Sequence, residues 1–286
     1  MSKVQFSGIR RRIVNRLIRL DCQIASLSAP RMLFYIISHE RSGTHFTINS
    51  ILRNCVVRRG MHNIGEWFGP YDNPADQRLH IDAFNAQWAE KATGASIIKS
   101  HCDRDLFEAY YTKAKVVYVL RDPRDVMTSW FHYLNNPKYY SKNPQVEDHS
   151  CASFADFIRR PASPFLRHCY SLKGDFSNVV ERWAEHVKGW IEAPDTIVVR
   201  YEDLRIDSGK VLAPAADFLG LSLRRKINRV ALEDAPSVLP RKGEIGDWRS
   251  LFRPEDERFL VEAIEKSGLP PQDVFFAGKP DLSRAE

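Results

Sequence analysis

Leu33-Phe34-Tyr35-Ile36-Ile37-Ser38-His39-Glu40-Arg41-Ser42-Gly43-Thr44-His45-Phe46 is the stretch from which the fold is read. It passes from a continuous apolar, β-branched and aromatic run into a short polar loop holding a glycine. Beyond the loop, Ile48, Ile51, Leu52 and Cys55 recur at helical spacing. The expected order is strand, loop, helix. Such a loop presents backbone N–H groups at a helix N-terminus, where the helix dipole favours an anion, so the first expectation is a phosphate cradle.

Three further apolar runs repeat the strand pattern. Ser96-Ile97-Ile98-Lys99-Ser100-His101 is a short buried strand ending in a lysine and a histidine. Lys115-Val116-Val117-Tyr118-Val119-Leu120 closes on Arg121-Asp122-Pro123, where Asp122 suits a helix cap and Pro123 the first turn. Thr196-Ile197-Val198-Val199-Arg200-Tyr201 runs into Glu202-Asp203-Leu204, and Glu202 and Asp203 are expected to brace the loop there. Helices are expected after Pro123, over Phe154–Arg159, along Val179, Trp183, Val187, Trp190 and Ile191, over residues 215–219, and over Pro254–Lys266. Apolar strands alternating with helices predict an α/β fold, a central parallel sheet covered on both faces, with ligands at the carboxyl ends of the strands. Arg41 to Thr44, Lys99, His101, Arg121 and Tyr201 all fall at those ends.

The chain has 286 residues, 43% of them hydrophobic and 11% aromatic, which suits one globular domain with elaborations. Its net charge of +6 fits an anionic ligand but selects none. Five cysteines without a CxxC pair argue against a disulfide framework and for a reducing compartment. No apolar run approaches the roughly 18 to 20 residues that span a bilayer, so a cytoplasmic protein is expected. Residues 1–30 form a separate basic segment. Lys3, Arg10, Arg11, Arg12, Arg16 and Arg19 surround an apolar stripe of Ile9, Ile13, Leu17 and Leu20. A terminal helix packed on the domain, peripheral contact with a membrane surface or acidic partner, and organellar targeting all fit it. Residues 58–93 lose periodicity and collect His62, Trp67, Phe68, Tyr71 and Trp88, which either wall an acceptor pocket or pack the segment onto the core.

A nucleoside triphosphatase loop reads GxxxxGK[ST]; here Thr44 stands where its lysine belongs. Asp122 and Asp125 follow the third strand, but one is placed to cap the helix and the other lies in its first turn. The balance favours an anion held by cationic and hydroxyl groups, with no metal expected. Nucleic acid is disfavoured, because the basic residues sit at strand ends without an interleaved aromatic platform. Trp248 reads as core.

Taken together, Ser42-Gly43-Thr44 after a strand, Lys99-Ser100-His101, Tyr118 through Val126 with Ser129 beyond, Tyr201-Glu202-Asp203-Leu204, and Arg241-Lys242-Gly243 with Gly246-Asp247-Trp248 resemble the PAPS-dependent sulfotransferases. The donor of that family is 3′-phosphoadenosine 5′-phosphosulfate (PAPS). The resemblance runs from about residue 33 to 253 in the same order. It implies one sulfotransferase domain over residues 31–286, like that of P-loop nucleotide kinases, and transfer of a sulfuryl group to a hydroxyl or amine of a small-molecule, phenol, lipid or carbohydrate acceptor.

By resemblance, Arg41, Ser42, Gly43, Thr44, His45 and Phe46 form the 5′-phosphosulfate loop. Arg121 and Ser129 hold the 3′-phosphate, joined by Arg241, Lys242 and Gly243, and Tyr201 lies by the adenine. His101 is the general base, Lys99 contacts the sulfuryl oxygens, and Arg41 stabilises the leaving group. Many soluble members carry lysine where this chain has Arg41. Some branches use a carboxylate base, which leaves Glu66 or Glu40 as alternatives to His101. A nucleotide-dependent phosphotransferase on a related scaffold and a non-catalytic nucleotide-binding adaptor are the competing readings.

Overall fold

The computed structural model describes residues 33–56, 96–110, 115–136, 150–162, 176–227 and 242–276. The basic segment of residues 1–30, the aromatic segment of residues 58–93 with Glu66, and Arg241 lie outside the described residues. In chain order the elements are β1 (Leu33–Ile37), α1 (Thr44–Asn54), β2 (Ser96–Ser100), α2 (Arg104–Tyr110), β3 (Lys115–Leu120), α3 (Pro123–Leu134), α4 (Phe154–Arg159), α5 (Val179–Ile191), β4 (Thr196–Arg200), α6 (Tyr201–Ile206), α7 (Ser208–Leu219), a 3₁₀ turn (Asp247–Ser250), α8 (Pro254–Lys266) and α9 (Pro271–Val274).

The strands pair in parallel in the order β2-β1-β3-β4. Alternate side chains feed two cores. Tyr35, Ile37, Val116, Tyr118 and Leu120 pack with residues of α3, α4, α5 and α8, among them Trp130, Phe157, Trp183 and Trp190. Phe34, Ile36, Val117, Val119 and Val199 pack on the other face with Ile48 and Ile51 of α1 and Leu212, Ala216 and Leu219 of α7. Burial on both faces explains why β1 and β3 read as unbroken apolar runs rather than alternating ones, whereas β4, at the sheet edge, buries only Val199 and leaves Val198 exposed.

Local chemistry fixes the helix starts. Asp122 accepts from the N–H of Arg124 at 2.9 Å with Pro123 in the first turn of α3. Asn178 caps α5 through the N–H of Glu181 at 2.8 Å, and Asp207 caps α7 through that of Lys210 at 3.1 Å. Three expectations need correcting. The fourth strand ends at Arg200, and Tyr201 opens α6, because the chain must turn off the sheet edge. α7 begins at Ser208 rather than near residue 215, since the Asp207 cap starts it upstream of Pro214. Trp248 is half-buried rather than core, held between the guanidinium groups of Arg124 (4.1 Å) and Arg249 (4.7 Å). None of the described helices is long and apolar enough to cross a membrane.

Candidate active site

The ends of β1, β2, β3 and β4 lead directly into Ser38, His101, Arg121 and Tyr201. The register places Ile37 beside both Ser100 and Tyr118, and Leu120 beside Arg200, so the four strands end on one edge of the sheet, with β3 and β4 running two residues past β1 and β2.

Residues 38–43 turn from β1 into α1. Arg41 takes φ +67° and Gly43 φ +97°, both in the left-handed region. At Gly43 a side chain is excluded twice over. Its φ disfavours L-residues, and a Cβ there would stand 2.7 Å from Cε2 of Tyr201 and closer still to Cδ2. No side chain caps α1 and no acid lies in its first turn, so the helix N-terminus keeps its affinity for an anion. Ser42 and Thr44 are buried, and the hydroxyls of Ser38 and Thr44 are 2.6 Å apart. Phe46 lies in the core, edge-on to Tyr201. His45 is half-buried on the first turn of α1.

Arg121 joins this loop to the one that precedes the 3₁₀ turn. It is 5% exposed, donates to the carbonyl of Arg41 at 3.1 Å and to that of Glu244 at 3.0 Å, and lies 4.6 Å over the ring of Tyr201. Its Nε–H is buried and has no hydrogen-bond partner among the described residues. Tyr201 donates to the carbonyl of Gly243 at 2.7 Å. Asp125 accepts from the N–H groups of Gly246 (2.8 Å) and Trp248 (3.1 Å), so its carboxylate braces the second loop. Asp122 is likewise engaged, through the guanidinium of Arg124 at 2.7 Å. Among the described residues, no group of three or more histidine, cysteine or acidic side chains is placed to hold a metal ion. Arg41 donates to the Ser129 hydroxyl at 3.3 Å, with its guanidinium 4.5 Å over the ring of Tyr133. Lys242 is exposed and pairs with Asp247 at 3.3 Å.

His101 is 5% exposed and its Nδ1 lies 2.6 Å from the carbonyl oxygen of Ser38. A carbonyl can only accept, so Nδ1 carries the proton and the ring lone pair is on Nε2. Lys99, two residues earlier on β2, is also 5% exposed. The structure thus gathers Arg41, Ser42, Thr44, Lys99, His101 and Arg121 at the carboxyl edge of the sheet, and Ser129, midway along α3, reaches the group through Arg41.

A buried network that the sequence reading did not single out lies behind the loop. Arg182 of α5 is fully buried, 2.6 Å from Nε2 of His39 and 3.1 Å from Oε2 of Glu40. His186, one turn on, accepts from Tyr118 at 2.9 Å through Nδ1 and lies 3.3 Å from the carbonyl of His101 through Nε2. Burial, with the charge of Arg182 added, holds His39 well below the usual histidine range; His186 is held there too, by burial, His39 and Arg182. Burial, the largest influence on Glu40, pushes its carboxyl up, but Arg182, His101, a backbone N–H and His186 together outweigh it and keep this carboxyl below its ordinary value. The available signal was positional: Arg182 and His186 lie one turn apart inside the apolar stripe of α5, where a solvated charge has no place.

The sequence model of the sulfotransferase domain matches residues 34–268. Among curated proteins, mouse sulfotransferase 2A1 is 27% identical over 208 residues, 62% of this chain. The match spans 66% of that relative's length, just under two thirds. Human sulfotransferase 2A1 is 26% identical over 278 residues, 84% of this chain and 86% of the relative. Among solved structures, mouse sulfotransferase SULT7A1 complexed with PAP aligns with a TM-score of 0.56 at 20% identity, over 84% of this chain and 85% of that one. Retinol dehydratase in a complex with retinol and PAP aligns with a TM-score of 0.50 at 19% identity, over 88% and 86% of the two chains. These structures share the fold described above, and with 235 consecutive residues inside the family match, the chain belongs to the sulfotransferase domain family.

Proposed function

We propose that this protein transfers a sulfuryl group from PAPS to a hydroxyl or amine of an acceptor, and that residues 31–286 act as one domain in doing so. The observation that carries this is His101. Its Nδ1 is tied to Ser38, which leaves Nε2 as a base at the same strand ends as the anion-attracting start of α1. Relatives named as sulfotransferases and a fold shared with PAP complexes support the same reading.

The donor set suits a nucleotide with a phosphate at each end. The N-terminal amides of α1, with Ser42, Gly43 and Thr44 and flanked by His45 and Phe46, receive the 5′ end. Arg121 offers its buried Nε–H to the 3′-phosphate, Ser129, Arg241, Lys242 and Gly243 are assigned to the same phosphate, and Tyr201 spaces the two loops on the adenine side. Guanidinium groups suit phosphate through charge-assisted bonds about twice as strong as neutral ones. When bound, PAPS supplies the sulfuryl group. His101 takes the acceptor's proton on Nε2 as the acceptor oxygen or nitrogen attacks sulfur, and Lys99 neutralises the sulfuryl oxygens. Arg41, which cannot give up its proton, meets the negative charge on the departing bridging oxygen. Burial pushes the Cys55 and Cys102 thiols up to about 12, so neither is a ready nucleophile, and both suit the reducing cytoplasm in which we place the protein.

The decisive experiment incubates the purified protein with PAPS and a panel of phenols, sterols, lipid alcohols and sugars, and follows release of adenosine 3′,5′-bisphosphate. Acceptor-dependent release is expected. Stabilisation by ATP and magnesium alone, without binding of the bisphosphate, would favour a phosphotransferase instead, and bisphosphate binding without turnover on any acceptor would favour an adaptor.

A further inference from the structure

A fully buried guanidinium is expensive to place in a protein interior, several kcal/mol by order of magnitude, unless close partners offset the lost hydration. Arg182 is 0% exposed, on a helix whose other buried side chains are all apolar except His186. Its partners His39 and Glu40 are consecutive residues, and the next residue is Arg41. Nη1 reaches Nε2 of His39 at 2.6 Å and Oε2 of Glu40 at 3.1 Å, while Nη2 reaches Oε1 of Glu40 at 3.4 Å.

These contacts have a directional consequence. A guanidinium has only donors, so Nε2 of His39 must accept and the ring proton must sit on Nδ1. That Nδ1 lies 3.1 Å from the carbonyl oxygen of Glu40, to which it therefore donates. The same peptide group carries the N–H of Arg41. Arg182 thus holds both the side chain of Glu40 and, through His39, the plane of the peptide that leads into Arg41. On the far side, Arg121 holds the carbonyl of Arg41 at 3.1 Å. Between the two arginines, Arg41 adopts φ +67°, a left-handed conformation that costs an L-residue about 1 to 2 kcal/mol and must be held from outside.

We infer that Arg182 is a positioning residue for the 5′ loop: it fixes the left-handed conformation of Arg41, and so the direction of the backbone N–H groups and guanidinium offered to the 5′ end of the nucleotide. This rests on the reading of residues 41–46 as the loop that receives the 5′-phosphate. Its signature is selectivity for one end of the ligand, because Arg182 grips the 5′ loop and not the residues assigned to the 3′ end.

The test compares calorimetric affinities for adenosine 3′,5′-bisphosphate and adenosine 3′-monophosphate in the full chain. The ratio of the two is the gain from the 5′-phosphate. Arg182→Lys, which keeps a charge but loses the fork, is expected to cut that gain by at least about tenfold while affinity for the 3′-monophosphate stays within about twofold of wild type. Glu40→Gln, which keeps the shape but weakens the grip, is expected to cut it by less. A merely structural part for Arg182 would change both affinities alike or neither, and a full gain retained in both folded variants overturns the inference. Should Arg182→Lys fail to fold, Glu40→Gln decides alone: a reduced gain supports the inference and an unchanged one overturns it. If wild type itself shows no gain from the 5′-phosphate, the reading of the loop is what fails, and the inference falls with it.

Discussion

Nδ1 of His101 donates to the main-chain carbonyl of Ser38 across 2.6 Å, so the residue that follows β1 orients the imidazole that follows β2. Because the acceptor is backbone, the ring is fixed by the sheet register itself.

With Nε2 as the base, His101→Ala should lower kcat by about 10²- to 10⁴-fold. Binding of adenosine 3′,5′-bisphosphate should change only severalfold. Steady-state turnover and calorimetry on the same preparation check the pair of outcomes; a kcat within about twofold of wild type would remove His101 from proton transfer.

Arg121 is assigned to the 3′ end of the nucleotide. Arg121→Ala should weaken the bisphosphate by at least about 30-fold, the equivalent of roughly 2 kcal/mol, because a buried cationic partner is lost. Adenosine 5′-monophosphate, which lacks the 3′-phosphate, should lose much less. Equal losses for the two ligands would make Arg121 a brace between loops and not a ligand of the nucleotide.

Gly43 and Gly220 both have positive φ, +97° and +70°, yet a Cβ would meet Tyr201 at the first and nothing within 4 Å at the second. Gly220→Ala should therefore cost about 1 kcal/mol through backbone conformation alone. Gly43→Ala adds the overlap, for about 2 to 4 kcal/mol in all, or a fall in Tm of roughly 5 to 12 °C. Thermal melts of the two variants should separate clearly; equal shifts would mean that the tyrosine yields.

Burial raises the carboxyl of Glu202 to about 7, although its Oε1 accepts from the N–H of Asp122 at 2.9 Å. The native protein therefore holds this proton up to about pH 7, whereas the unfolded chain releases it near the ordinary value of 4.5. Between those values the native state binds more protons, so this contribution to stability falls as pH rises, by on the order of 3 kcal/mol over the window. Glu202→Gln keeps an acceptor for Asp122 and removes the titration. Its Tm should gain on wild type as pH rises from about 5 to 8. His39 and His186, held low, work in the opposite sense below the ordinary histidine value of 6.5. They are present in both proteins and cancel in the comparison.

The two central strands were legible because both their faces are buried, so Phe34–Ile37 and Val116–Leu120 had to be continuous apolar runs. The Asp122-Pro123 helix start was legible for an equally local reason, a cap followed by proline. What escaped was set by contacts far apart in sequence. Nothing near Asp125 says that its carboxylate will hold the amides of Gly246 and Trp248, more than a hundred residues on. Nothing near Arg182 names Glu40 as its partner. Helix α2 also went unread. Its seven residues carry too short a periodicity to stand out, and its Phe107 is placed by ring contacts with Tyr35 and Trp190.

The way Arg121 bridges the two loops bears on how the family can vary. It grips the carbonyls of residues 41 and 244, atoms every amino acid possesses, and no side chain at either position. Replacement of Arg41 or Glu244 by another residue type therefore leaves the bridge intact as long as the chain path is kept. That separates two kinds of change in this part of the molecule. The bridge itself does not constrain the side chain at 41, so an exchange that tolerates the left-handed backbone there, lysine for arginine included, retunes the chemistry offered to the departing oxygen without dismantling the frame that aims it.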